Sequence, residues 1–336
     1  MESELPPGRR SVVAVLGTRY ADLDVEHQAL AGLDVELVSG DGASPEEILA
    51  VAGEADVVLA GSRPRFDAAV LGSLRCRGIV RYGIGTDSID LAAAARRGIA
   101  VARVSDYGTE AVAFHAVSLA TALLRRLGEA DRIVKGGGWG VAGLRPLHQP
   151  SGLTAGVIGY GRIGRQATAY FTGLGMRVLA HDQHVDVPTG HRVASATLGE
   201  LLAGSDVITL HAPGSPDGSP LLDEAQLRSM RPGSILVNTA RGSLVDLPAL
   251  VRALADGHLS GAALDVFPAE PPDVSAFEAV ADRVILTPHM AWYTEESELD
   301  MRRKAAAEAV RMLRGEPLQD PVLPDLETAE PEALHR

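Results

Sequence analysis

The stretch VIGYGRIGRQ, residues 157–166, has the glycine spacing of the turn that joins the first strand of a dinucleotide-binding domain to the following helix. In such a turn Gly159 permits the tight bend, Gly161 lets the backbone approach a pyrophosphate, and Gly164 lets the helix pack on the strand. Amide groups at the start of that helix favour a negatively charged group. More than a hundred residues precede the turn, so the sequence predicts a further unit upstream of it.

Length, charge and cysteine content limit the class of protein. A chain of 336 residues exceeds the size at which one hydrophobic core normally keeps growing, so two domains are expected. The net charge of −13 opposes binding to nucleic acids and to anionic membranes. Cys76 is the only cysteine, which excludes a disulfide within the chain and a four-cysteine metal site. We predict no metal site.

Hydropathy gives no sign of export or of membrane insertion. The first ten residues, MESELPPGRR, lack the apolar segment of a secretion signal. No later stretch is apolar for long enough to cross a bilayer. We therefore expect a cytoplasmic protein whose partner is a small molecule.

Apolar runs alternate with helical segments, which predicts two α/β units with parallel sheets covered on both faces. The strands predicted in the first unit are 11–17, 35–40, 56–62, 78–85 and 99–104. Those predicted in the second are 154–160, 176–181, 206–212, 234–240, 261–267 and 284–289. Ser44 is a predicted helix N-cap. One long helix is predicted from near Thr109 to the glycines at 136–138, and a last helix from about Thr294, followed by a loose tail.

Asp182 follows the second predicted strand of the later series. A carboxylate at this position accepts hydrogen bonds from the adenosine ribose hydroxyls and repels a 2′-phosphate. We therefore predict that the cofactor is NAD(H) rather than NADP(H). The alternative for the motif as a whole is that its glycines only end a strand in a glycine-rich chain.

Three polar residues follow predicted strands of the second series: Arg241 in NTARG, Glu270 in DVFPAEP and His289 in TPH. The carboxyl ends of parallel strands border the crevice in which open α/β sheets bind ligands. A guanidinium, a carboxylate and an imidazole in that crevice suit hydride transfer to or from an α-oxo or α-hydroxy acid.

These motifs and GYGRIG occur in the order typical of the D-isomer-specific 2-hydroxyacid dehydrogenases, and residues from about 11 to 320 resemble that family. The resemblance implies a Rossmann NAD-binding domain, residues 104–289, inserted into a flavodoxin-like substrate domain, residues 1–103 and 290–336. Both are doubly wound parallel sheets. The insertion explains why the glycine turn comes so late. It also implies an NAD-dependent enzyme that interconverts a 2-oxo acid and a D-2-hydroxy acid.

Charge and resemblance together imply roles for the three polar residues. Arg241 would bind the substrate carboxylate and polarise its carbonyl group. His289 would donate a proton to the carbonyl oxygen, and Glu270 would favour the protonated imidazole. Asp265 resembles the residue that holds the nicotinamide carboxamide. Further cofactor contacts are expected at Arg162, Ile163, Thr239 and Ala240.

The segment RYGIG, which comprises Arg81, Tyr82, Gly83, Ile84 and Gly85, corresponds to the family loop that faces the cofactor. Gly83 and Gly85 allow successive amides to form an anion-binding nest for the substrate carboxylate, and Arg81 would add a charged contact. The competing interpretation is a purely structural turn between a strand and a helix.

Trp292 and the segment IVRYGIG resemble one branch of the family, the C-terminal-binding-protein corepressors. An NAD(H)-sensing interaction module is therefore the alternative to an enzyme. In an enzyme, Trp292 would favour an extended apolar or thioether substrate over pyruvate. The alternative is that Trp292 packs between domains and Arg81 lies on the surface.

Two arginines suggest another alternative within enzymes. Arg63 and Arg65 stand where phosphoglycerate dehydrogenases of this family bind phosphate, which suggests a phosphorylated or phosphonate-bearing substrate. The chain has 29 arginines, so coincidence is a serious rival. No regulatory domain is recognisable after residue 320, which favours a simple dehydrogenase.

The segment AVAFHAVSLATALL, residues 111–124, is apolar around most of a helix, and one buried stripe cannot cover it all. We therefore predict a homodimer that pairs through this region, as is common in the family. Phe114 and His115 occupy positions where the family commonly has an acidic residue after an alanine.

Overall fold

The computed structural model describes residues 9–18, 20–215 and 217–323. The contacts divide the chain into two compact units, Met1–Gly108 with Thr294–Arg336, and Thr109–Tyr293. The boundaries predicted from the sequence are 103/104 and 289/290. The first eight residues and most of the predicted loose tail lie outside the described residues.

The first unit contains a five-stranded, wholly parallel sheet. Its strands are β1 (Ser11–Leu16), β2 (Val35–Gly40), β3 (Val57–Ala60), β4 (Gly78–Arg81) and β5 (Ala100–Arg103). Their order, β2-β1-β3-β4-β5, is that of the flavodoxin-like doubly wound fold, as predicted.

Four short helices connect these strands: α1 (Asp24–Leu30), α2 (Pro45–Ala52), α3 (Ala68–Ser73) and α4 (Leu91–Arg96). Ser44 caps α2 as predicted, because its hydroxyl accepts a hydrogen bond from the Glu47 amide. Helix α4 begins after Asp90, whose carboxylate caps it by accepting a hydrogen bond from the Ala93 amide at 2.8 Å.

The second unit contains a seven-stranded parallel sheet. Its strands are β6 (Thr154–Ile158), β7 (Arg177–His181), β8 (Val193–Ser195), β9 (Val207–Leu210), β10 (Ile235–Asn238), β11 (Gly261–Leu264) and β12 (Val284–Leu286). The order is β12-β11-β10-β9-β6-β7-β8, the Rossmann arrangement, with the topological reversal between β6 and β9. Strand β8, three residues at the edge of the sheet, is absent from the strands predicted from the sequence.

The helices of the second unit are α5 (Thr109–Leu124), α6 (Leu127–Lys135), α7 (Arg162–Gly173), α8 (Leu198–Gly204), α9 (Glu224–Ser229) and α10 (Leu247–Ala255). Helices α5 and α7 pack on one face of the sheet, around Ala116 and Phe171. Residues of α8, α9 and α10, among them Leu201 and Leu250, form the core on the other face. The chain then returns to the first unit in α11 (Glu295–Arg314), which begins where predicted and has Thr294 as its N-cap.

The prediction of one continuous helix from Thr109 to residue 136 is wrong. Arg126 has a left-handed backbone, with φ of 50°, and separates α5 from α6. Its guanidinium donates to the Gly143 carbonyl at 3.1 Å and pairs with Glu129, contacts that offset the cost of this conformation. Within the described part of the chain, the helices are too short or too polar to cross a membrane.

Candidate active site

The glycine turn lies where the order of the second sheet reverses, after β6. Gly159 has φ of 91°, and a Cβ on it would lie 2.5 Å from the His211 carbonyl oxygen. A Cβ on Gly164 would lie 2.0 Å from the Gly159 carbonyl oxygen. Gly161 is the N-cap of α7, and the space beside its Cα is open. The three glycines thus have the local geometry that the motif predicts.

Asp182, directly after β7, turns its carboxylate toward this turn. It accepts hydrogen bonds from the amide of Tyr160 at 2.6 Å, and from those of His184 at 2.8 Å and Val185 at 3.0 Å. Partial burial acts to raise the pKa of Asp182, but these backbone hydrogen bonds outweigh it and hold the pKa below its ordinary value. The side chain is therefore a carboxylate at neutral pH.

His211, at the end of β9, is a neighbour of the turn that sequence analysis missed. Its carbonyl oxygen borders Gly159, and its Nε2 lies 3.1 Å from the Thr209 hydroxyl. Desolvation lowers the pKa of His211 to about 4, so its imidazole is neutral at neutral pH. Only its place after an apolar strand, in the sequence LHAP, could have drawn attention to it.

These features suit a dinucleotide. The open space at Gly161 and the first turn of α7 can hold a pyrophosphate, and Asp182 can hold ribose hydroxyls. Thr239 follows β10, and its hydroxyl is buried without a hydrogen-bond partner among the described residues, as expected of a group that awaits a ligand. Of the other expected contacts, Arg162 is exposed, whereas Ile163 and Ala240 are half-buried.

The three polar residues follow three neighbouring strands. Arg241 comes after β10, Glu270 after β11 and His289 after β12, and these strands pair side by side. Their carboxyl ends therefore present the three residues along one edge of the sheet.

The NTARG turn is held from within by Asn238, which sequence analysis did not single out. Its side chain accepts a hydrogen bond from the Ala240 amide at 3.0 Å and donates one to the Arg241 carbonyl at 2.7 Å. Gly242 lies against the next loop, since a Cβ on it would come 2.0 Å from the Phe267 carbonyl carbon. The loop that carries Arg241 therefore packs directly on the one that leads to Glu270.

His289 and Glu270 form a hydrogen-bonded pair. Nδ1 of His289 lies 2.7 Å from Oε2 of Glu270, and the other oxygen of Glu270 accepts from the Phe267 amide at 3.1 Å. The two side chains are 46% and 37% exposed. This pairing engages Nδ1 and leaves Nε2 as the nitrogen that can face a substrate.

The backbone of His289 is left-handed, with φ of 50°, which is unusual for a residue with a side chain. Its amide donates to the carbonyls of Asp265 and Thr287, and its carbonyl accepts from Nε1 of Trp292 at 3.0 Å. Both backbone groups of His289 are thus held by neighbouring residues. These contacts hold the backbone at His289, and the hydrogen bond from Nδ1 to Glu270 orients the imidazole.

Asp265 is fully buried and organises the same segment. Its carboxylate accepts from the Thr287 hydroxyl at 2.6 Å and from the amides of Met290 and Ala291, each at 2.9 Å. His115 stands behind it, with Nε2 3.2 Å from the Thr287 hydroxyl and 3.7 Å from Asp265. The observed contacts of Asp265 hold the His289 segment, and its contact with a nicotinamide stays a prediction.

The candidate substrate residues 81–85 belong to the first unit, and their side chains are used locally. Tyr82 is 4% exposed, and its hydroxyl donates to Glu26 at 2.9 Å, so its side chain lies in the interior of this unit. Arg81 donates from Nη1 to the Tyr82 carbonyl. Gly83 has φ of 124°, and Ile84 and Gly85 are half-buried.

Other polar groups of the described residues give no metal site. No group of three or more histidine, cysteine, aspartate or glutamate residues among them could hold an ion. Burial raises the pKa of the Cys76 thiol to about 12, which keeps it protonated. Arg63 pairs with Asp41 at 3.6 Å, and Arg65 is exposed.

Comparison with known proteins identifies the family of this chain. Residues 117–291 match the model described as D-isomer specific 2-hydroxyacid dehydrogenase, NAD binding domain. The chain is 35% identical over 310 residues to a D-3-phosphoglycerate dehydrogenase of Archaeoglobus fulgidus, which covers 91% of this chain and 58% of that protein. The chain thus spans less than two thirds of the length of the curated relatives it matches.

Solved structures agree over nearly the whole chain. The TT0316 protein from Thermus thermophilus is 33% identical to this chain and has a TM-score of 0.82; the superposition covers 93% of this chain and 100% of that one. A D-lactate dehydrogenase from Aquifex aeolicus, complexed with NAD and lactic acid, is 28% identical and has a TM-score of 0.80; the superposition covers 90% of this chain and 96% of that one. The family resemblance is confirmed: this chain belongs to the D-isomer specific 2-hydroxyacid dehydrogenases.

Proposed function

We propose that this protein is an NAD-dependent dehydrogenase that interconverts a 2-oxo acid and a D-2-hydroxy acid. The observation that carries the proposal is the His289–Glu270 pair at 2.7 Å, which follows the two strands next to that of Arg241, in the unit that matches the NAD-binding domain. An acid, a charged partner and a carboxylate-binding guanidinium are what this reaction needs.

Each residue has a defined task in the reduction of a 2-oxo acid. Arg241 binds the substrate carboxylate and polarises the carbonyl group beside it. Nε2 of His289 donates a proton to the carbonyl oxygen, and Glu270 stabilises the charged imidazole before transfer. When bound, NADH supplies the hydride for C2. In the reverse direction, neutral His289 accepts the proton of the hydroxyl group.

The amides of residues 83–85 are the proposed nest for the substrate carboxylate, with Arg81 as an additional charge. The positive φ of Gly83 supports this assignment, because a residue of positive φ next to residues of negative φ directs successive amides to one side of the chain. Trp292 is the proposed contact for the substrate side chain. Its indole is tethered to the His289 carbonyl and packs edge-on against Tyr293, so the ring is held beside the proton donor.

The test is a screen of NADH oxidation over 2-oxo acids that range from pyruvate to acids with four- to six-atom apolar or thioether side chains, with phosphorylated acids as a separate arm. We expect turnover, with the longer apolar acids preferred by a graded margin. Absence of turnover with every acid would contradict the enzyme and favour the corepressor-like NAD(H) sensor. That sensor and the resemblance to its branch stay predictions.

A phosphorylated substrate is the second candidate. It is favoured by the names of several relatives, D-3-phosphoglycerate dehydrogenases at 35–37% identity, and by Arg63 and Arg65 in one loop. Arg63 already pairs with Asp41, which lowers the charge it can offer. If the phosphorylated acids are the best substrates of the screen, Arg63 and Arg65 replace Trp292 as the proposed specificity residues.

Exchange of Asp182 for serine is expected to narrow the preference for NADH over NADPH by roughly ten- to a hundredfold, since the change removes a charged acceptor for the ribose and its repulsion of a 2′-phosphate. The measurement is kcat/KM for both cofactors with one 2-oxo acid. Asp186→Ser, an exposed change in the same loop, is the matched control. Equal use of both cofactors by the unchanged protein would disprove this role of Asp182.

We further propose a homodimer. Phe114, Leu127, Val134, Trp139 and Val141 are each more than half exposed, and Trp139 is 89% exposed. They all lie in α5, in α6 or in the segment that follows, and we call them the 114–141 surface. Such a concentration of exposed apolar side chains is typical of an interface between protein chains.

Light scattering at micromolar concentration is expected to give twice the mass of one chain, and Trp139→Asp is expected to shift the mass toward that of a monomer because it places a charge on the 114–141 surface. Val274→Asp, at an exposed apolar residue outside that surface, should leave the mass unchanged. A single-chain mass for the unchanged protein would exclude the dimer.

We also propose a cytoplasmic location. The only cysteine, Cys76, is buried and free, which suits a reducing compartment.

A further inference from the structure

The first unit contains a buried ion pair that joins its first and last helices. Arg302 of α11 is 7% exposed and Glu26 of α1 is fully buried. Nη2 of Arg302 lies 2.7 Å from Oε2 of Glu26, and Nε lies 3.1 Å from Oε1, so the guanidinium donates a hydrogen bond to each carboxylate oxygen. Nη2 also donates to the Asp22 carbonyl at 2.8 Å, and the ring of Tyr20 lies 4.3 Å from the guanidinium carbon.

A third group completes this cluster. The Tyr82 hydroxyl donates to Oε1 of Glu26 at 2.9 Å. Burial, and then the negative charge of Glu26, raise the pKa of Tyr82 well above its ordinary value, so the hydroxyl keeps its proton and remains a donor. Glu26 thus receives hydrogen bonds from α11 and from the loop that begins after β4.

Tyr82 is well placed to anchor that loop. It directly precedes Gly83, and neither Gly83 nor Gly85 has a side chain that could fix the chain. The backbone of the loop is held by the Tyr82 amide, which donates to the Ala60 carbonyl at 2.9 Å, and by the Gly83 carbonyl, which accepts from Val104 at 3.2 Å. The Tyr82 side chain adds a hydrogen bond to a fixed charge in the interior.

Stability alone gives little reason for such a cluster. Desolvation of a buried ion pair offsets most of its attraction, and an apolar replacement of similar volume is often as stable. What the pair supplies in addition is direction, because a bidentate carboxylate has one orientation and its partners must meet it there.

We propose that the Glu26–Arg302 ion pair positions the glycine loop, residues 83–85, for the substrate carboxylate, and that it acts through the Tyr82 hydroxyl. The role of the loop rests on the proposed function, whereas its anchoring does not. Glu26, Arg302 and Tyr82 are positioning residues in this scheme, since none of them touches the substrate with its side chain.

Tyr82→Phe is the decisive variant, because it removes one hydroxyl and leaves the ion pair and the ring packing in place. We expect the KM for the 2-oxo acid to rise roughly tenfold, as for the loss of a hydrogen bond to a charged group. The kcat and the Kd for NADH should not change. We also expect faster amide hydrogen exchange in the peptide that spans residues 82–90. Glu26→Gln should change both readouts in the same direction.

Tyr20→Phe is the matched control, since Tyr20 contacts Tyr82 and Arg302 through its ring. The positioning role is wrong if amide hydrogen exchange is the same in Tyr82→Phe as in Tyr20→Phe. It is also wrong if the protein reduces a 2-oxo acid and Tyr82→Phe leaves the KM for that acid unchanged. A higher KM without faster exchange also overturns it, because Tyr82 would then act on the substrate directly. Faster exchange in a protein that reduces no 2-oxo acid would retain the anchoring and reject the proposed function.

Discussion

His289→Ala is expected to lose ~10²- to 10⁴-fold in kcat for reduction of a 2-oxo acid, the range that general acid catalysis typically contributes. The variant should still bind NADH, because the glycine turn and Asp182 are on other strands of the sheet. Stopped-flow reduction rates and NADH fluorescence titration measure the two properties separately. A large loss of rate with unchanged NADH affinity is the signature of a missing proton donor.

Two further variants test whether the loss of rate in His289→Ala is specific to the proton donor. His191→Ala, an exposed histidine in the same unit, should have unchanged rates. Glu270→Gln keeps a hydrogen-bond acceptor beside Nδ1 but removes the charge that favours a protonated imidazole. The kcat for reduction should therefore fall while the affinity for NADH stays unchanged, because Glu270 no longer offsets the positive charge of the donor. If kcat does not change, Glu270 has no part in the proton transfer.

Arg241→Ala is expected to lower kcat/KM by about 30- to 4000-fold, which corresponds to the roughly 2–5 kcal/mol typical when one member of a buried, hydrogen-bonded charge pair is removed. We expect both a higher KM and a lower kcat, because the guanidinium binds the carboxylate in the ground state and polarises the carbonyl in the transition state. The measurement is a steady-state titration of the 2-oxo acid at saturating NADH.

The control for Arg241 is an arginine at the opposite, amino-terminal ends of the strands. Arg177, the exposed first residue of β7, can be changed to alanine and should retain full activity. Arg241→Lys should recover only part of the loss, because a lysine supplies charge without the planar fork. If lysine restores full activity, the carboxylate is bound by charge alone and the bidentate contact is wrong.

The alternation of apolar runs and helical segments was sufficient to predict two parallel sheets, because a strand buried on both faces has a continuous apolar pattern. Strand ends then placed Arg241, Glu270 and His289 at one edge, and the structure puts them after three adjacent strands. The order of those strands is a tertiary property, and it came from the family resemblance rather than from local pattern.

Other features had no local signal. Glu26 lies in a short helix whose polar sequence suggests exposure to solvent, and its partner Arg302 is far away along the chain. The break at Arg126 follows residues that favour helices and depends on a contact with the Gly143 carbonyl. Tyr82 belongs to the predicted substrate-binding segment, but its hydroxyl is bonded to Glu26 in the interior, which the sequence pattern does not indicate.

The left-handed backbone of His289 has a consequence for how this protein responds to selection. A side chain in that conformation costs of order 1–3 kcal/mol, and glycine would remove most of the cost. Resistance to heat and turnover therefore favour different residues at this position. A mutant library selected for thermal stability alone would be enriched in glycine at this position and depleted of histidine, whereas a library selected for growth that requires the reaction would keep histidine.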